Sequence, residues 1–304
     1  MELNYIVKTG YKKLDYVLSG GLANGKVISV SSTNDSDSTL FALSLAMLNQ
    51  QQIPIGYFSW HDTSERLRNR LISMIAHVPF QFIDRELIFT DEMLLKVIES
   101  KRKFSESGIS LYDSVYPDQI DKLFNDCRMF TLRNFNKALI IIDSIDSITS
   151  YKKESLLLIE KFNALAAELN IPILLVSNVS HKRLERSIDS AKRMTEDILD
   201  LGFLRKNIDV CLTITEDLQH EYLSEQKKVN VILKGVQKYS IMFEKDTDTG
   251  LFIEDISREV DELNRVYDPN PISRSKDFLN NDPQNISDII KSSLKISQSD
   301  EEPF

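Results

Sequence analysis

The decapeptide SSTNDSDSTL at 31–40 sits where a phosphate-binding loop belongs. It follows a strand-like apolar run, Val27-Ile28-Ser29-Val30, and leads into a helix-like run, LFALSLAMLNQQ. Such a loop needs glycines so that backbone amides can wrap a phosphate, a Lys to neutralise it, and a Ser or Thr hydroxyl for Mg²⁺. These ten residues contain neither Gly nor Lys. Two further segments carry chemistry of a different kind. HKRLERSIDSAKRM at 181–194 gathers Lys182, Arg183, Arg186, Lys192 and Arg193, side chains suited to sequence-independent contact with DNA phosphates. Glu185 and Asp189 dilute that charge, so a solvated loop is the competing reading, and no aromatic residue is interleaved for base stacking. The last residues, Asp300, Glu301, Glu302, Pro303 and Phe304, place acids before a terminal aromatic. A terminal ring and its carboxylate suit an apolar pocket with a basic rim, the acids being drawn to surrounding Lys and Arg. An ordinary solvated acidic end is the alternative.

The elements that would position these residues alternate in type. VISV at 27–30 precedes the helix-like LFALSLAMLNQQ, and IGYFSW at 55–60 precedes SERLRNRLISMIAHV. ALIIID at 138–143 precedes KESLLLIEKFNALAAELN, and IPILLVS follows at 171–177. Continuous apolar strands separated by helices predict an α/β fold, a mostly parallel central sheet covered by helices on both faces. The helix at 153–170 is the clearest, with Leu158, Phe162, Leu165 and Leu169 at helical spacing and Ile159 and Ala166 widening the stripe. VCLTIT at 210–215 and VNVILKG at 229–235 read as an added antiparallel portion. The expected domain covers residues 1–257. Residues 258–304, which include DPNPISRSKDFLNNDPQN, hold too little apolar surface to offset their ordering entropy and read as a flexible tail. Within it, 286–296 is a short amphipathic piece able to become helical on a partner.

At 304 residues and 42% hydrophobic content the chain can bury one sizeable core. A formal net charge of −9 excludes a surface built throughout to coat nucleic acid, while leaving room for a local basic patch. Cys127 and Cys211 lie far apart without metal-ligand spacing and read as reduced, packed thiols, so no metal is expected. The N-terminus lacks the apolar core of a signal peptide, and no run approaches the ~18 apolar residues of a membrane span. A soluble cytoplasmic protein that makes no membrane contact is the expectation.

Over about residues 7–254 the sequence resembles the motor domain of DnaB-type replicative helicases. VKTGYKKLDYVLSGGLANGKVISV is similar to that family's opening, in which a Thr-Gly, a Leu-Asp and a Gly-Gly-Leu precede the first core strand. NIPILLVSNVS at 170–180 resembles its strand ending in Ser-Gln, and DILDLGFLRKNIDVCLTITED at 197–217 its Asp-Leu, Gly and Asp landmarks. The resemblance implies a RecA-like fold of the phosphate-loop NTPase class. In the register it suggests, Ser32 stands for the first Gly of G-x-x-x-x-G-K-[ST], Asp37 for the second, Ser38 for the Lys and Thr39 for the hydroxyl residue. Only Thr39 is kept. Asp37 would oppose a bound phosphate by several kcal/mol per charge pair at an effective dielectric near ~20.

The same register places Asp143 at the strand end where the family organises Mg²⁺, although an Asp there also serves as an ordinary cap or turn residue. His61, with Asp62 beside it, takes the place of the family's water-activating Glu; a lone His is otherwise structural or solvated. In ILKGVQKYS at 232–240 the family's Lys and Arg that reach a neighbouring subunit's phosphate are matched by Lys234 and Lys238, and Lys cannot reproduce an Arg fork. The family's N-terminal domain has no counterpart in the match, so a ring is not expected. SDEEPF in turn resembles the acidic tip of bacterial single-strand DNA-binding proteins.

Taken with the residues, the resemblance implies a degenerate nucleotide site holding no cofactor, in a non-catalytic, helicase-related accessory or scaffold protein of DNA replication or repair. Replication or repair proteins are its expected partners, reached through the tail, with weak DNA binding at most. Two alternatives stay open. One is a divergent ATP-dependent helicase that holds ATP and Mg²⁺ through Thr39, Asp143 and backbone amides. The other is an inactive subunit of a mixed ring that lends Lys234 or Lys238 to its neighbour.

Overall fold

The computed structural model describes residues 6–32, 36–60, 62–85, 87, 90–113, 120–145, 152–178, 208–216, 226–233, 236–255 and 261–262. The chain divides into a unit at 1–263 and another at 264–304, and every described residue lies in the first. In order the elements are β1 (Ile6–Val7), α1 (Lys12–Val17), β2 (Leu22–Ala23), β3 (Val27–Ser32), α2 (Asp37–Asn49), β4 (Ile55–Ser59), α3 (Ser64–Ala76), α4 (Phe80–Asp84) and α5 (Asp91–Ser105). Then come β5 (Ile109–Tyr112), α6 (Ile120–Arg133), β6 (Leu139–Asp143), α7 (Lys152–Leu169), β7 (Ile173–Asn178), β8 (Val210–Glu216), β9 (Gln226–Leu233), β10 (Val236–Lys245), β11 (Phe252–Glu254) and β12 (Asp261–Glu262).

The main sheet runs β11-β10-β9-β8-β3-β7-β6-β4-β5, with β12 paired to β10. From β5 to β8 every pairing is parallel, and from β8 outward every pairing is antiparallel. Burial on both faces explains why the parallel strands are apolar throughout. In β6, Leu139 and Ile141 face a core shared with α2 and α3, while Ile140 and Ile142 face a second core shared with α6 and α7. Leu174 and Val176 of β7 divide from Ile173 and Leu175 in the same way. The α7 stripe read from the sequence packs as expected, with Leu158, Ile159, Phe162, Leu165 and Ala166 buried in the second core.

Two features differ from the sequence reading. β8, expected with the antiparallel portion, runs parallel to β3 from Ile28↔Val210 to Ser32↔Ile214 and only its other edge is antiparallel. Residues 179–209 give the connection from β7 the length a parallel crossover requires. Residues 79–137, left unassigned by the alternation, supply α4, α5, β5 and α6. β5 spans only four residues, too short for a periodicity to declare itself, yet it adds a parallel edge strand beside β4.

α2 is buried on nearly all sides, from Leu40 and Phe41 through Leu45 and Ala46. One side meets the parallel sheet, and β9–β11 close over another. Phe41 meets Phe243 and Phe252 edge-to-face, and the Ser44 hydroxyl accepts from the Phe252 amide at 3.0 Å. The β10–β11 turn is set by Asp246, whose Oδ1 accepts from the amides of Asp248 and Thr249, both at 2.9 Å. Gly250 then turns with φ 77°, where a Cβ would lie 2.8 Å from Leu40. The left-handed φ favours glycine here, and a Cβ would also push on the Leu40 methyls of α2.

Candidate nucleotide site

The site lies at the carboxyl ends of the parallel strands, the usual place for a ligand in an open α/β sheet. β3 delivers Ser32 and leads through residues 33–35 to α2, whose first residues are Asp37 and Ser38. β6 delivers Asp143, and β4 delivers Ser59 beside it in register. Ser32, Asp37, Ser38 and Asp143 are buried and Thr39 is half-buried. Ser32, Asp37, Ser38 and Thr39 thus flank the β3–α2 junction, and Asp143 ends β6, which β7 separates from β3 in the sheet. The Ser38 amide donates to Ser32 Oγ at 3.2 Å, tying the first turn of α2 to the end of β3.

The Asp37 carboxylate organises the centre of this site. Its Oδ1 lies 2.6 Å from Lys245 Nζ and its Oδ2 3.0 Å from Lys227 Nζ. Both carboxylate oxygens thus meet an ammonium, and the side chains of Asp37 and Lys227 are 2% and 4% exposed. A negative group in the first turn of α2 is also favoured by the helix dipole and the unsatisfied amides there. Asp37 consequently supplies, from within the chain, the kind of negative charge that a helix N-terminus would otherwise take from a phosphate. The repulsion expected of Asp37 toward a ligand is joined by an attraction that the loop sequence does not show.

Neither lysine is among the candidates read from the sequence. Their signal is a charge at an inward position of an alternating strand: Lys227, Val229 and Val231 are buried in β9, and Ile241 and Phe243 lead to Lys245 in β10. Starting that strand at Val229 leaves Lys227 outside the pattern. The register Phe243↔Lys227 then sets Lys227 and Lys245 diagonally across β9 and β10, close enough to share one carboxylate.

Asp143 is held from a second direction. The Tyr57 hydroxyl, fully buried on β4, donates to Asp143 Oδ2 at 2.6 Å. Burial first, then the nearby Asp143 charge, push the Tyr57 hydroxyl well above the usual phenol range. It therefore remains a donor to the carboxylate at ordinary pH. Asp62 donates its amide to Ser59 Oγ at 3.0 Å and pairs through its carboxylate with Arg66 at 3.6 Å and Arg70 at 3.7 Å. Arg70 also covers the Phe80 ring at 4.5 Å, and its burial lowers its pKa from the ordinary guanidinium value. The acid beside position 61 is thus already engaged by two cations.

His61, Lys234, the cluster Lys182, Arg183, Arg186, Lys192 and Arg193, and the tail Asp300, Glu301, Glu302, Pro303 and Phe304 lie outside the described residues. Lys238 falls within β10, with its side chain outside the described residues. Among the described residues no group of three or more His, Cys, Asp or Glu side chains is arranged to hold a metal ion. Among them, too, no helix is long and apolar enough to cross a membrane.

Residues 6–249 match the family model of the DnaB-like helicase C terminal domain. The chain is 25% identical over 240 residues to the replicative DNA helicase DnaB of Rickettsia conorii, covering 73% of this chain and 47% of that protein. It is 26% identical over 216 residues to a probable plasmid replicative DNA helicase of Chlamydia muridarum, covering 68% and 46%. The chain thus spans about half the length of the curated relatives it matches. Among solved structures, a DnaB-like replicative helicase described with its interactions with primase superposes with a TM-score of 0.70 at 17% identity, over 82% of this chain and 62% of that one. A separately solved ATPase domain superposes with a TM-score of 0.69 at 16% identity, over 82% and 91%. The fold is therefore the RecA-like ATPase fold of replicative helicases.

Proposed function

Because the chain belongs to the family of DnaB-like helicase C-terminal domains, we propose that it descends from a motor whose nucleotide site is now closed by the protein's own side chains. In this reading it acts as a non-catalytic accessory or scaffold factor in DNA replication or repair. The observation that carries the proposal is the Asp37 carboxylate held at 2.6 Å by Lys245 and at 3.0 Å by Lys227 at the start of α2. A phosphate entering there would have to displace a buried anion from two ammonium groups, without the Lys that Ser38 replaces. Separating such a buried cluster costs several kcal/mol unless the incoming group restores each interaction. The residues present do not fit a nucleotide phosphate, so neither ATP nor Mg²⁺ is assigned as a cofactor.

The partners proposed are replication or repair proteins captured by the acidic tail ending in Pro303 and Phe304. DNA binding through Lys182, Arg183, Arg186, Lys192 and Arg193 would be weak, salt-sensitive and indifferent to sequence.

A second reading, a divergent ATP-dependent helicase, is favoured by the retention of Thr39 and Asp143 and by relatives named as helicases. Under it, Lys227 and Lys245 replace the missing loop Lys and release Asp37 on nucleotide entry. An inactive subunit of a mixed ring, contributing Lys234 or Lys238 to its neighbour, is a variant of the first reading. The deciding experiment is calorimetric titration of the purified full chain with ATP and Mg²⁺, together with turnover in the presence of single-stranded DNA. The proposal expects neither heat of binding nor turnover. Micromolar affinity with DNA-stimulated hydrolysis that disappears in Asp143→Ala establishes the second reading instead.

A further inference from the structure

α5 carries two apolar faces. The inner one, with Val97 and Ser100 buried and Met93 and Phe104 packed beside them, meets α3 and a small core containing Ile72, Val78 and Ile83. Its spacing of three and four residues is that of an ordinary packed helix. The other face projects Leu94, Leu95 and Ile98, which are 44%, 68% and 55% exposed. Single exposed leucines are common, but three on one stripe of one helix mark a contact surface.

The charges bordering this stripe have a particular order. Asp91 lies on the same face one turn before Leu94 and Leu95, and Lys101 and Arg102 lie on it one turn after Ile98. Beyond Ile98, Arg102 is paired with Glu106 at 2.8 Å and Lys103 with Glu99 at 2.9 Å, so Asp91 before the apolar centre and Lys101 after it are the charges the proposal uses. A helix so arranged is complementary to itself when reversed. Placed antiparallel on a copy about a two-fold axis near residue 96, it sets Leu94 against Ile98, brings the two Leu95 side chains together, and opposes each Asp91 to the other copy's Lys101. Exchange of the two copies leaves every one of these pairs unchanged, which is the requirement for a closed isologous contact. In a parallel arrangement like charges would face each other at both ends.

We infer that the outer face of α5 is a self-association surface, on which a second copy of this chain docks its own α5 antiparallel through Leu94, Leu95 and Ile98, with Asp91 and Lys101 setting the register. The inference is independent of whether nucleotide is bound. Leucine and isoleucine supply the area removed from water, and the rim charges select the antiparallel partner over the parallel one.

The test is sedimentation of the purified full chain over a concentration series, with the same series for three variants. The wild-type chain should reach a dimer, and Leu95→Glu should weaken dimerisation at least tenfold. Asp91→Lys alone should weaken it as well, and Asp91→Lys combined with Lys101→Asp should restore it, because the swap recreates the opposed pair. A Leu95→Cys variant, should Leu95→Glu fail to fold, gives an independent readout: near the axis its thiol should oxidise to a covalent dimer faster than the same substitution at Lys103. A chain that stays monomeric up to its solubility limit overturns the inference. So does a dimer indifferent to Leu95 and to the charge swap, which would place the contact on another surface.

Discussion

Lys245 and Asp37 meet at 2.6 Å although they lie 208 residues apart in the chain, so the far end of β10 is tied to the first turn of the helix that begins the candidate nucleotide site. With Lys227 the contact becomes a three-member cluster from α2, β9 and β10, in which Asp37 and Lys227 are buried and Lys245 is half-buried. Asp37→Ala is expected to leave two cations facing each other without their shared anion. The loss should fall in the range of about 3–5 kcal/mol found when one partner of a buried ion pair is removed. Denaturant unfolding would report it as a lower midpoint at unchanged slope. Lys227→Met in the Asp37→Ala background should recover part of the loss. A midpoint unmoved by Asp37→Ala would show that the cluster contributes little to stability.

Restoring the phosphate loop should separate binding from chemistry. Asp37→Gly with Ser38→Lys removes the internal anion and returns the loop cation, so ATP affinity should rise at least tenfold over the parent chain in calorimetry. Turnover should stay absent if, as the proposed register has it, His61 takes the place of the family's Glu. Substantial hydrolysis by the double variant would instead identify His61 or another group as a competent base.

Tyr57→Phe removes one hydroxyl and keeps the packed ring. The hydrogen bond to Asp143 at 2.6 Å is lost within the core. Hydrogen bonds to charged groups contribute about 1.5–3 kcal/mol, and thermal or denaturant unfolding should register a loss of that size. A variant as stable as the parent would show that water or a neighbour satisfies Asp143 equally well.

Asp113 gives a prediction with a defined pH sign. Its Oδ2 accepts from the Ser64 amide at 2.7 Å, at the start of α3, and this bond is the first cause holding its pKa below the usual 3.8. A depressed folded-state pKa means that the group's contribution is fully present above the unfolded value and is lost as pH falls through the folded one. The stability gap between the parent and Asp113→Asn should therefore be largest near neutral pH and close as pH drops below about 4. Its half-buried setting, still open to solvent screening, keeps the gap small. A gap that widens on acidification would contradict the assignment.

The tail reading is tested by deleting Phe304. Burial of an aromatic ring supplies on the order of 2–3 kcal/mol, while the acids at 300–302 mainly steer the encounter. Capture of replication proteins from the native host should weaken on deletion and weaken further in high salt. A peptide with the acidic tip of a single-strand DNA-binding protein should compete. Identical captures with and without residues 300–304 would reduce the tail to a solvated end.

The core strands and the helices α2, α3 and α7 were legible in the sequence because burial on two faces leaves a local record, whereas α4, α5 and α6 were not assigned from it. Runs such as Leu139–Asp143 and Ile173–Asn178 are apolar at nearly every step, and α7 repeats its apolar residues at helical spacing. That residues 31–40 hold neither Gly nor Lys is a local fact of the same kind. β5, at four residues, and the mixed pairing of β8 were not legible, because neither length nor direction of pairing leaves a period to read. What only the tertiary structure decided is how the loop's charge is answered. In the sequence Asp37 follows Asp35 by two residues, and no Lys or Arg occurs between Lys26 and Arg66 to answer it. Lys227 and Lys245 reach it through the register of β9 on β10 and the closure of that ribbon over α2. Electrostatic pairing acts through space and carries no period along the chain, so its partners are fixed by topology and not by neighbours in sequence.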